Sequence, residues 1–102
     1  MRKIELDAAR WASIDDVYEA LLPAIGAPEW HGHNVNALID SMIWGGINAI
    51  DPPYTVVVRG VAHASVDIRA HLEVIRRALV EARAEFATRR GHELNVEFET
   101  AP

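Results

Sequence analysis

The chain has no cysteine, which excludes disulfides, thiol nucleophiles and thiolate metal ligands and fits a cytoplasmic protein. No apolar run is long enough to span a bilayer, and the charged start offers no signal-peptide core, so no membrane role is expected. Basic charge is also missing where it would matter most. Residues 11–58 hold no lysine or arginine, yet they carry Asp15, Asp16, Glu19, Glu29, Asp40 and Asp51. A surface built from that half repels nucleic acid, whose binding needs cations on the phosphates, and attracts a basic partner at long range. Low-complexity tracts, repeats and linkers are absent, and 102 residues suit one compact domain over residues 1–102.

What is present reads as alternating strands and helices. Residues 2–7 alternate, with Ile4 and Leu6 on one side and Lys3, Glu5 and Asp7 on the other, as in a half-exposed strand. Tyr54–Arg59 is a β-branched run between Pro52-Pro53 and Gly60 and reads as a strand buried on both faces. Residues 93–99 alternate again, with Leu94, Val96 and Phe98 inward. The apolar strand should therefore be central. Ser13 and Asp16 form a capping-box pattern ahead of Ile14, Val17, Leu21 and Ile25, and Pro23 should kink or end that helix. Asn34 is a candidate N-cap for a second helix. Ile68, Leu72, Ile75, Leu79, Ala82 and Phe86 recur at helical spacing before Gly91, a C-terminal stop. Strands separated by helices imply crossover connections. The fold class is α/β, a single small domain with a three-stranded parallel sheet in the order 1-2-3 packed with helices.

The segment from Trp30 to Trp44 carries the chemistry. At about 100° per residue, Val35, Leu38, Ile39, Met42 and Ile43 share one face of a helix, which should pack on the sheet. Asn36, Asp40 and Trp44 form a ridge on the opposite, solvent face. Trp30 and His31 precede the helix, and Gly32 permits a tight, left-handed turn. An exposed aromatic beside a carboxylate is the pattern of an interface anchor; the alternative for Trp44 is packing under the loop that follows, and for Asp40 an ordinary solvated helix acid.

The run Pro28-Glu29-Trp30-His31-Gly32-His33-Asn34-Val35-Asn36-Ala37-Leu38-Ile39-Asp40 resembles the signature of the barstar family, a Pro-Glu-aromatic-aromatic-Gly-x-Asn-Leu-Asp-Ala-Leu-x-Asp stretch opening an inhibitory helix. The order of elements resembles that family over nearly the whole chain. The resemblance implies a ribonuclease inhibitor, an immunity protein and not an enzyme, which plugs the active site of a basic ribonuclease toxin one to one; presenting one helix to one cleft needs no self-association, so the free protein is expected to be a monomer. It implies that Asp40 sits where substrate phosphate would sit, that Gly32 and Asn34 shape the start of the helix, and that Trp30 stacks on the nuclease. His31 stands where the pattern has a second aromatic, and Asn36 where it has an acid. Trp44 precedes its glycines, whereas the pattern's tryptophan follows one. Glu81 is a candidate for a further acid late in the third helical region. These departures argue against a barnase-like nuclease as the particular target. They leave room for another toxin or another protein partner.

Such a role suits these residue types. A nuclease cleft lined with cations asks for a rigidly held anion, and a helix carboxylate can accept paired charge-assisted hydrogen bonds from arginine. Two rivals compete. A small enzyme could use His31, His33 and Asp40 as metal ligands or acid-base groups, but a third metal ligand is not apparent and no cofactor is expected. Arg76, Arg77, Arg83, Arg89 and Arg90 could bind nucleic acid. Interleaved with Glu73, Glu81 and Glu85, they read instead as a solvated helix face held by ion pairs.

Overall fold

A computed structural model describes residues 2–45 and 47–102; Met1 and Gly46 lie outside the described residues. The elements follow in the order β1 (Arg2–Asp7), α1 (Ile14–Ala24), α2 (Val35–Ile39), a π-helical turn (Asp40–Trp44), β2 (Tyr54–Arg59), a 3-10 turn (Val61–His63), α3 (Val66–Arg90) and β3 (Val96–Thr100). β2 pairs in parallel with β1 and β3, giving the order β1-β2-β3. The α/β class, the parallel sheet and the central place of the apolar strand are as the sequence pattern predicts.

The reason β2 is buried on both faces lies in its neighbours. Tyr54, Val56 and Val58 join the core. On the other face Thr55 lies in register between Lys3 and Glu97, and Val57 between Glu5 and Glu99. Thr55 and Val57 are nonetheless only 6% and 5% exposed. Long charged side chains on the two edge strands cover the narrow central strand there, aided by an Arg59–Glu5 pair at 2.7 Å. That pair holds the Glu5 carboxyl below its ordinary range, chiefly through the hydrogen bond from Arg59.

Local chemistry sets the helix ends. The carboxylate Oδ2 of Asp16 accepts from the amides of Ala12 and Ser13, at 2.7 and 3.1 Å, which locks the entry of α1. Pro23 ends it: the helix stops one residue later, and Gly26 turns the chain at φ 71°. The amides of Ala49 and Ile50 then donate to the carbonyls of Gly26 and Ile25, which ties the loop before β2 to the end of α1. Ser65 caps α3 through the amide of Ile68, and Gly91 closes it in the left-handed region. Ile68, Leu72, Ile75 and Leu79 are all essentially buried. α3 contacts β3, α1, α2 and the π-helical turn. The apolar face of α2 and its π turn therefore packs mainly on α3, where the sequence pattern predicts the sheet.

Candidate partner-docking face

The face is built on the turn before α2. Its backbone is closed by the amide of His31 donating to the carbonyl of Pro28 at 3.0 Å. Trp30 points outward and is 75% exposed. Asn34 is the N-cap, its Oδ1 accepting from the amide of Ala37 at 2.8 Å. Gly32 is not in the left-handed region; what excludes a side chain there is proximity. A Cβ on Gly32 would lie 2.9 Å from Asn34 Nδ2 and 3.3 Å from the Ala37 methyl, displacing the cap.

His31 corrects the expectation of a second surface aromatic, because it is only 4% exposed. Its Nδ1 lies 2.8 Å from the carbonyl of Gly32, so that nitrogen carries a proton and donates. Its Nε2 lies 2.8 Å from Ser41 Oγ. Ser41 Oγ in turn lies 3.2 Å from the carbonyl of Leu38, which ties the pair to the helix backbone. The imidazole thus stitches the turn to the helix from inside, and its two nitrogens are taken.

Asp40 opens the π-helical turn, in which its carbonyl accepts from the amide of Gly45 at 2.8 Å, five residues on. The Asp40 side chain is exposed, and among the described residues it has no hydrogen bond or ion pair. It stands on the rim between two concavities. One, about 310 Å³, is walled by Trp30, Gly32, Ala37, Gly45 and Ile47. The other, about 490 Å³, lies between α2 and α3, where Asn36 and Asp40 face Glu81 and Glu85. Glu85 is paired with Arg89 at 2.8 Å, whereas Glu81 has no partner among the described residues. Two unpaired carboxylates from different helices thus border one groove, an arrangement suited to guanidinium or ammonium groups. Helical spacing alone cannot bring Glu81 to Asp40, because nothing in the pattern of α3 gives its register against α2.

The predicted ridge of Asn36, Asp40 and Trp44 is broken. A π turn advances fewer degrees per residue than an α turn, so Trp44 is rotated off the solvent face. It is half-buried, its ring 5.3 Å from that of Phe86, with the guanidinium groups of Arg89 and Arg90 5.9 and 5.8 Å from its centroid. Trp44 joins the two helices together and does not project from the face.

The rival constellations are not assembled. His33 points away from His31 and pairs with Asp15 at 2.6 Å, so His31, His33 and Asp40 do not converge. Among the described residues no group of three or more histidines and acids is placed to hold a metal ion. Of the α3 arginines, Arg76 and Arg77 both engage Glu73, Arg89 engages Glu85, and Arg83 donates to the carbonyl of Leu94. Arg90 lies against the rings of Trp44 and Phe86, so three of these five arginines are held in ion pairs along the helix and the other two are engaged by a carbonyl and by aromatic rings. Among the described residues no helix is long and apolar enough to cross a membrane.

Comparison with known proteins bears on the fold and the family. The family described as Barstar (barnase inhibitor) matches residues 1–99. No curated protein matches the chain at a significant level. Proteins of the matching family are inhibitors that bind ribonucleases. With the match running over nearly its full length, on a parallel β1-β2-β3 sheet with the expected helices, the chain belongs to the barstar family.

Proposed function

We propose that this protein is a cytoplasmic immunity protein that inhibits a basic ribonuclease toxin by laying α2 and the turn before it into the toxin's active-site cleft. The observation that carries the reading is Asp40, an exposed carboxylate without a partner among the described residues, held on a rim between two concavities. In the complex it takes the place of a substrate phosphate and accepts hydrogen bonds from the cleft's arginine or lysine. Trp30 supplies contact area that keeps water from those bonds, Gly32 and Asn34 hold the start of the helix, and Asn36 lies beside the acid. Glu81 adds a second anion from α3. His31 supports the face from within, and Trp44 from behind. The acids of residues 11–58 speed encounter with a basic toxin. Protection from a lethal enzyme asks for nanomolar affinity or tighter, about -12 kcal/mol. The free protein is a monomer, and the complex is one to one. Asn36, where the family pattern has an acid, favours a target other than barnase itself.

The test is RNA cleavage by barnase and a panel of small basic secreted ribonucleases, titrated with the protein and with Asp40→Ala. The expected result is stoichiometric inhibition of at least one enzyme and a loss of about 2 kcal/mol or more in the variant, the threshold of an interface hot spot. Inhibition of none of them, or equal inhibition by Asp40→Ala, overturns the reading.

A further inference from the structure

His33 lies between Gly32 and the N-cap Asn34, at the point where the turn carrying Trp30 enters α2. Its side chain is not part of the docking face. Nδ1 donates to Asp15 Oδ1 at 2.6 Å, and the bond holds the Asp15 carboxyl below its ordinary range. The imidazole also lies on the ring of Tyr18, 5.8 Å between centroids and 16° from parallel. Tyr18 is 1% exposed and is itself fixed from the far side, its hydroxyl 2.6 Å from His71 Nε2 on α3. Burial pushes the Tyr18 phenol up to about 12 and the His71 imidazole down, so the phenol keeps its proton and donates to a neutral ring. Asp15 belongs to the first turn of α1, already locked by Asp16. The chain of contacts therefore runs from α3 through the core tyrosine and α1 to the turn. Among the described residues, the His33–Asp15 bond is the one hydrogen bond joining residues 28–34 to α1.

We propose that His33 is a positioning residue: pinned by Asp15 and seated on Tyr18, it braces the turn that presents Trp30 and Gly32 to a partner. Its importance for inhibition rests on the reading of that face given above; the brace itself does not. Gly32 has no Cβ, so the turn can hinge there, and each conformer other than the presented one lowers affinity by the entropy of ordering it. A ring stacked on a fixed tyrosine and bonded to a fixed carboxylate removes those conformers before the partner arrives.

Two amides flank His33 and report on it: that of His31, bonded to the Pro28 carbonyl, and that of Ala37, bonded to Asn34 Oδ1. Hydrogen exchange in the free full-length protein, measured residue by residue by NMR, reads both. In His33→Ala they should exchange about fivefold faster or more, while β2 amides and the urea midpoint hold. Asp15→Ala should match it, and the double variant should add little, because both remove one brace. Asp15→Asn keeps an acceptor oxygen and should restore most of the protection. Unchanged flanking amides, or flanking amides that move in step with β2, overturn the proposal. These readings need no ribonuclease, so they stand or fall apart from the inhibitor reading. In an inhibited ribonuclease assay the same variants should weaken inhibition several-fold with Asp40 intact.

Discussion

Truncating Trp44 separates a structural tryptophan from an interface anchor. On a uniform helical wheel Trp44 faces solvent, and Trp44→Ala would be close to neutral for folding. In the structure the ring lies half-buried against Phe86. A fully buried tryptophan removes about 200 Å² from water, so roughly half of that at about 25 cal/mol/Å² is worth about 2.5 kcal/mol. The tilted contact with Phe86 adds about 1 kcal/mol, and the cation–π contacts with Arg89 and Arg90 about 0.5 kcal/mol each where they are exposed. These contributions overlap, because all of them involve one ring. A total of about 3 kcal/mol is therefore expected for Trp44→Ala and about 1 kcal/mol for Trp44→Phe, which keeps an aromatic against Phe86. For a domain with about 5–15 kcal/mol of stability the first is a large fraction. Urea unfolding followed by far-ultraviolet circular dichroism measures both without relying on tryptophan fluorescence. A Trp44→Ala midpoint within about 0.5 kcal/mol of the parent would refute the account of the π turn as a device that folds Trp44 inward.

Other consequences are equally direct. Gly26→Ala should destabilise by about 1–3 kcal/mol in the same assay, because the residue is left-handed and a Cβ would lie 2.5 Å from that of Ala49. Acid should weaken the fold over a defined window. Hydrogen bonding to Arg76 holds Glu73 at about 2, against an ordinary 4.5, so its contribution is complete above 4.5 and is lost as pH falls toward 2. Glu73→Gln should flatten the pH dependence of the urea midpoint in that interval, and high salt should shrink the effect. At the alkaline end both tyrosines, Tyr18 and Tyr54, are pushed up to about 12 by burial. Stability should then be whole below pH 10 and decline from 10 toward 12. An ultraviolet titration should find no phenolate at the usual midpoint near 10 while the protein is folded.

The elements and their ends are legible in local patterns of residues. Alternation in residues 2–7, the β-branched run of Tyr54–Arg59 and the recurrence from Ile68 to Phe86 set strands and helix, since burial on one face acts over the few residues of one element. The Asp16 lock, the Asn34 cap and the Gly91 stop are also legible, because each is a contact between residues at most four apart in the chain. The exposure of Asp40 follows from the same periodicity. Tertiary structure decided what periodicity cannot carry. Whether His31 faces a partner or the interior depends on Ser41 being placed beneath it. Whether Trp44 is an anchor or a strut depends on a π turn and on Phe86, a residue of another helix. Glu81 acquires a place beside Asp40 only when α3 packs against α2. Local patterns record a residue's own element, whereas a shared surface depends on how elements meet, and that is settled by packing between residues distant in the chain.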